Sequence, residues 1–293
     1  PWYFDAATRS LFFNNGGVEF LRYEPTRQQP VRSGTNFRIS GMVDSLPATV
    51  QRATAQRFPN IHLVRFDGAA TQVSQQTAPS VPQSIEEMKA NTNWWPLQNG
   101  SFPHNRADIV RAIIDGTALG VCDGSYMPNQ SDSLGAAAWI IEDPATGTAC
   151  HGTCQTSGEP VEVNAYRSEL QGMHATLLAV LLICTLNNIR SGAVTIGCDN
   201  QTAINVSQAQ WRRVQWKVKH TDLIRAIHTV REQIEERGVT LIFTHVRGHQ
   251  DDACCPSQLP RIVQLNIKMD RNAKERLLDM ITEPTACQQE TFG

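Results

Sequence analysis

The chain has 293 residues, 41% hydrophobic and 18% charged. That composition supports a packed core and excludes wholesale disorder, and the length suits two domains of about 150 residues. With 26 basic and 28 acidic side chains the net charge is −2, which excludes a uniformly basic nucleic-acid coat but leaves room for a local basic patch. The longest apolar run, Ala175 to Leu186, has twelve residues and is interrupted by Thr176 and Thr185. A bilayer span takes about 18 or more, so no membrane partner is expected. The N-terminus has neither a basic-then-apolar leader nor an initiator Met. An intracellular location, nucleus or cytoplasm, and an origin as a piece of a longer chain are the expectations. The eight cysteines are expected to be free thiols in a reducing compartment. Cys150, His151 and Cys154 sketch half a zinc site, but no second ligand pair follows at zinc-finger spacing.

In chain order, residues 1–67 read as a β-rich region. Leu11 to Phe13 and Val18 to Tyr23 flank Asn14-Asn15-Gly16-Gly17, a hairpin signal because Asn and Gly tolerate positive φ. Asn36 to Val43 and Ile61 to Phe66 are further strands. Residues 68–104 read as a linker or connection, opening on GAATQVSQQTAPSVPQS, which buries little. Asn105 is placed to cap a helix to about Asp115, which Gly116 would end. Strands follow over Ala118 to Asp123, Gly135 to Glu142 and Ala149 to Thr156. The next helix spans Ala165 to Asn188, where Leu170, Met173, Leu177, Leu181 and Cys184 line one face. Then come a strand at Ala193 to Asp199, a helix from about Gln201, a helix from His220 to Arg237, a strand at Val239 to Val246 and a helix from Leu265 to Ile281. The order β-β-β-α-β-α-α-β-α predicts a mixed sheet covered by helices. Residues 283–293 read as a tail.

Four acids stand out by position. Asp123 and Asp199 follow apolar strand residues, Glu169 sits in the first turns of the buried helix, and Asp270 lies in the last helix. A charge at the end of a buried strand is expensive unless paired or metal-bound, and ligands gather at strand ends in such sheets. Singly, each acid reads as a cap or a surface residue. Together, on one sheet and the helices beside it, they point to a site.

The stretches VCDGSYMP, NAYRSELQGM, IGCDNQTAI, HVRGHQDD and LNIKMDRNAKERL, in that order over about residues 112–282, resemble the type 1 ribonuclease H family. The flavour is similar to the ribonuclease H segment of retroelement, non-LTR-like reverse transcriptases. The resemblance implies an α/β fold with a ribonuclease H-like five-stranded mixed sheet flanked by helices over 105–282. It implies metal-binding carboxylates at Asp123, Glu169, Asp199 and Asp270, and a mobile loop histidine at His249. Crowded carboxylates repel and carry raised pKa values. Two Mg²⁺ ions, with Mn²⁺ as a substitute, would relieve that repulsion. The implied activity is hydrolysis of the RNA strand of an RNA–DNA hybrid by a two-metal route, with His249 moving a proton.

For the hybrid partner, told from other duplexes by shape and 2′-hydroxyls, the resemblance suggests that Gly124 and Ser125 touch the RNA strand. Arg167, Asn164, Tyr166 and Asn200 are further contact candidates. The acid-free segment QWRRVQWKVKH at 210–220 carries Arg212, Arg213, Lys217 and Lys219 with two tryptophans interleaved. It reads as a phosphate-gripping handle with stacking rings, or more simply as a solvated basic face over two core tryptophans. His249 and Asp270 are separated by twenty residues, longer than in compact family members. Competing readings are a catalytically inactive nucleic-acid-binding or scaffold module and an integrase-type nuclease, whose pattern omits the helix glutamate. Asp251-Asp252 follow Gly248-His249-Gln250 and not Tyr-x, so a polymerase palm is not expected here. A polymerase upstream in one polyprotein is the expected companion.

Overall fold

The computed structural model describes residues 2–14, 19–26, 30–32, 34–47, 50–56, 61–71, 81–158, 160–209, 219–248, 250–252 and 255–282. The chain divides into two compact units, 1–80 and 81–293.

The first unit is a six-stranded antiparallel sheet ordered β4-β3-β2-β1-β5-β6. Its strands are β1 Trp2–Asp5, β2 Ser10–Phe13, β3 Phe20–Pro25, β4 Phe37–Val43, β5 Val50–Gln56 and β6 His62–Thr71. Alternation sends Phe4, Leu11, Phe13, Tyr23 and Leu63 into one apolar cluster and Phe12, Phe20, Leu46 and Val50 into another. The β2–β3 pairing sets Leu11 opposite Tyr23, as the hairpin signal predicts; turn residues 15–17 lie outside the described residues. Two strands, β1 and β5, have no counterpart in the sequence reading. β1 is too short for a clear period, and β5, VQRATAQ, carries too few large apolar side chains to stand out.

The second unit opens with a short helix α1, Ile85–Ala90, and a 3₁₀ turn, Thr92–Leu97. Met88, Trp94 and Leu97 from this stretch enter the main core, and the Pro96 carbonyl accepts a 3.3 Å hydrogen bond from the Trp139 indole. Residues 81–97, read from composition as part of a connection, are therefore part of this unit's packing. Helix α2, Ala107–Asp115, ends at Gly116 in the left-handed region, φ 74°. Asn105 receives the Ala107 N–H, and Arg106 occupies the cap position.

The sheet is built from β7 Ala118–Tyr126, β8 Gly135–Glu142, β9 Ala149–Gln155, β10 Gly192–Cys198 and β11 Val239–His245. Its order is β11-β10-β7-β8-β9. β7, β8 and β9 form an antiparallel meander, while β10 runs parallel to both β7 and β11. Helix α3, Ala165–Leu186, packs on β7 and β8. By length and composition it would pass for a membrane span, but 83% of its apolar window is buried inside the fold. Each large apolar side chain so buried contributes about 1.5–3 kcal/mol. Helices α4, Gln201–Gln208, and α5, Thr221–Glu236, pack beside it. Helix α6, Arg261–Thr282, lies on β7 and β8 through Leu265, Met269 and Ala273, against Val121, Ala138 and Ile140.

Candidate active site

The parallel β7–β10 ladder has its last rung at Val121 and Gly197. Asp123 and Asp199 each stand two residues beyond that rung. With the side-chain period of two, neighbouring strands carry both aspartates at matching positions just where the ladder opens. β7 itself continues, paired to β8, as far as Tyr126. A strand end was expected at Asp123; here the opening comes from β10 leaving β7.

Glu169 reaches the same place from the second turn of α3, and Gly124 lets it. A Cβ on Gly124 would lie 2.4 Å from the Glu169 amide nitrogen and from the Ser168 carbonyl carbon. The glycine next to Asp123 thus serves the close approach of α3, beside any role in touching a ligand. Gly172, one turn on, repeats this: a Cβ there would sit 3.1 Å from the Asp123 carbonyl oxygen. Asp270 comes from α6. The start of that helix is pinned by Arg261, which donates two hydrogen bonds, at 2.7 and 2.8 Å, to buried Glu142 on β8.

The electrostatics follow from this crowding. Asp123 is 3% exposed, and its Oδ2 is buried without a hydrogen-bond partner. Burial first, then the charges of Asp199 and Asp270, push its pKa up to about 8, against smaller opposing effects of the Gly124 N–H and Lys274. Burial likewise raises Glu169 well above the usual carboxylate range, with Cys198, Asp123 and Asp199 adding to it. Lys274 Nζ donates to Asp270 Oδ2 at 2.7 Å. Ligand atoms of Glu169, Cys198 and Asp199 all lie within 4.8 Å of one another. A buried oxygen with no hydrogen-bond donor, amid carboxylates whose charges raise Asp123 and Glu169, suits a hard divalent cation.

Asp123 thus lies within reach of the charges of Asp199 and Asp270, and Glu169 within reach of those of Asp123 and Asp199. Lys274 and Cys198 join them unannounced by the sequence reading. Lys274 was signalled by its i,i+4 spacing from Asp270, and Cys198 only by preceding Asp199. His249 lies outside the described residues. Its neighbour Gly248 backs onto the site, for a Cβ there would be 2.8 Å from Asp199 Oδ2.

The substrate candidates fare differently. Ser125 is buried on β7 beside Gly124. Asn200 caps α4, accepting from the Ala203 N–H at 3.0 Å. Asn164 caps α3, accepting from the Arg167 N–H at 2.9 Å, and its amide meets the His220 ring at 3.2 Å. Tyr166 makes an edge contact with His220. Arg167 is 1% exposed. Its guanidinium donates to the Ser157 carbonyl and to both carboxylate oxygens of Asp222 on α5. That position corrects its reading as a phosphate contact: the charge is committed to an internal pair tying α3 to α5. Lys219 is exposed, while Arg212, Arg213 and Lys217 lie outside the described residues. The half-zinc motif does not assemble. Cys150 and Cys154 face the core from β9, with thiols pushed up to about 12 by burial. His151 lies on the opposite face of the strand.

No family model and no curated protein matches the chain. Among solved structures, the RNase H1 of the halophilic archaeon Halobacterium salinarum NRC-1 is similar at 17% identity and TM-score 0.36, over 55% of this chain and 98% of that one. LC11-RNase H1 in complex with RNA/DNA hybrid is similar at 14% identity and TM-score 0.40, over 56% and 99%. The foamy viral protease-reverse transcriptase in complex with RNA/DNA hybrid is similar at 16% and 0.36, over 60% of this chain and 21% of that one. Likeness this distant says nothing of this chain's chemistry. The fold itself is a mixed five-stranded sheet flanked by helices, with a separate antiparallel sheet in the N-terminal unit.

Proposed function

We propose that this chain is a divalent-cation-dependent endonuclease that hydrolyses the RNA strand of RNA–DNA hybrids, leaving 5′-phosphate and 3′-hydroxyl ends. The observation that carries this reading is the buried, unpartnered Oδ2 of Asp123, a residue that feels the charges of Asp199 and Asp270 and acts in turn on Glu169. Oxygen donors of this kind fit Mg²⁺, with Mn²⁺ as the substitute. When bound, two such ions would supply a water of lowered pKa and stabilise the leaving 3′ oxygen.

The chain's own residues divide the remaining work. Asp123 and Asp199, held by adjacent strands, anchor the cations. Glu169, fixed by the contact of α3 with Gly124, orders the attacking side. Asp270, held by Lys274 at 2.7 Å, would complete the second cation position. His249, next to Gly248, is assigned the proton movement. The basic segment with Arg212, Arg213, Lys217 and Lys219 is assigned the grip on phosphates, and Gly124, Ser125 and Asn200 the contact with the RNA strand. The motif set also supports placing the chain in a retroelement reverse transcriptase polyprotein, with the polymerase encoded upstream.

The test is a labelled RNA–DNA hybrid incubated with the full chain and Mg²⁺. Cleavage of the RNA strand is expected, falling to background in Asp123→Asn and in Asp199→Asn. Cleavage that persists in either variant overturns the assignment. Hybrid binding without cutting by the unaltered protein selects the non-catalytic module instead.

A further inference from the structure

The residue before each strand aspartate is a cysteine: Cys122 precedes Asp123 and Cys198 precedes Asp199. Cys122 turns into the core, its thiol 3.9 Å from the Gly197 carbonyl oxygen. Cys198, buried and hydrogen-bonded to the Cys122 side chain, also reaches the carboxylates. Its Sγ lies 3.8 Å from Glu169 Oε2 and accepts the Asn200 backbone N–H at 3.4 Å. Sulfur and carboxylate oxygens of Glu169 and Asp199 lie within 4.8 Å of one another. On one tetrahedral ion, ligands at about 2.3 Å for sulfur and about 2.0–2.2 Å for oxygen stand about 3.5 Å apart, so the 3.8 Å between Cys198 Sγ and Glu169 Oε2 is already close to that spacing and the Asp199 oxygen has to draw in. Asp123, which acts electrostatically on Glu169, has its Oδ2 buried without a hydrogen-bond partner, a second and independent sign of a cation site.

We infer that Cys198, Glu169 and Asp199 form a mixed sulfur–oxygen site for a thiophilic divalent cation of the zinc and cadmium class. Hard Mg²⁺ takes oxygen donors and leaves the thiol alone, whereas a softer ion gains most from the sulfur. As the sulfur–metal bond forms, the thiol proton passes to solvent, and the Asn200 N–H remains aimed at the resulting thiolate. Because two of the three ligands belong to the carboxylate set, a zinc-class ion here displaces Mg²⁺ from it. That competitive consequence rests on the proposed function; the site itself does not.

The experiment uses the full chain carrying Cys254→Ser, Cys255→Ser and Cys287→Ser, which removes exposed Cys255 and the two cysteines outside the described residues as competing thiols. Cd²⁺ is titrated in Mg²⁺-free buffer while sulfur-to-cadmium charge-transfer absorbance is recorded. We expect the band to saturate at equimolar Cd²⁺ with release of a proton, and excess Mg²⁺ to raise the Cd²⁺ concentration required. Cys198→Ala should abolish the band and weaken Cd²⁺ binding by at least the ~10–100-fold typical of losing an outer ligand partner. Glu169→Gln, which keeps the sulfur, should retain the band at weaker affinity and serves if Cys198→Ala fails to fold. No band in the parent, a band surviving Cys198→Ala, or unchanged affinity in Glu169→Gln overturns the inference. A chain that cuts hybrids with Mg²⁺ yet shows no band refutes this site alone. A band without hybrid cleavage refutes the proposed function alone.

Discussion

Replacing Asp123 with asparagine removes a buried titratable group while keeping the shape of the side chain. The ordinary aspartate value is 3.8, and in the fold Asp123 is pushed up to about 8. Between those two values the folded chain holds a proton that the unfolded chain has lost. Stability of the metal-free protein must therefore fall as pH rises from about 4 to about 8, and change no further from this group above that. At pH 7, keeping the proton costs about 1.36 kcal/mol for each pH unit above 3.8, roughly 4 kcal/mol in all. Asparagine is neutral at every pH, so Asp123→Asn is expected to stabilise the metal-free protein at pH 7 by about 2–4 kcal/mol, the lower end allowing for relaxation of Asp199 and Asp270. Near pH 4 the two proteins should be equally stable. The assay is hydrogen exchange of β7 and α3 peptides in chelating buffer, corrected for the intrinsic pH dependence of exchange. Added Mg²⁺ should protect the unaltered protein and do little for the variant. A variant that is less stable at pH 7, or a difference that does not grow with pH, would refute the account of a strained carboxylate cluster.

Three other substitutions probe separate parts of the design. Gly124→Ala forces a methyl group into the backbone of α3 and should cost about 1–3 kcal/mol or more. It should also lower cleavage by displacing Glu169; melting temperature and hybrid hydrolysis report both, and an unperturbed melt with full activity would contradict the packing. Arg167→Met leaves Asp222 without its partner and should cost about 3 kcal/mol in urea denaturation; loss of hybrid affinity with unchanged stability would restore Arg167 as a direct contact. Replacing Arg212, Arg213, Lys217 and Lys219 together with alanine should flatten the log–log salt dependence of hybrid binding by up to about 3–4. An unchanged slope would remove that segment from the interface.

Much of this was written locally. The 3.6-residue stripe of α3, the Gly116 stop of α2 and the apolar strands before Asp123 and Asp199 are local signals, and the elements formed where those signals lie. Asn164 and Asn200 show the opposite case. Each stands out in the sequence only as a contact candidate, and the structure uses both as helix caps. Arg167 looked like a phosphate contact because its sequence neighbour is Glu169. Its true partner, Asp222, is 55 residues away and became a neighbour only when α5 packed beside α3.

Periodicity and strand composition, which act over a few residues, set the types of the main elements from α2 onward and the positions of four acids; the helix and turn over 85–97 carried no such signal. Only the tertiary structure decided that β10 pairs with β7 in the register that sets Asp199 beside Asp123. It alone decided that Gly124 and Gly172 bring α3 onto β7 closely enough for Glu169 to join them, and that Cys198 turns its sulfur toward Glu169. The reason is physical: a charge acquires a shifted pKa from what surrounds it, and those surroundings come from residues tens of positions away.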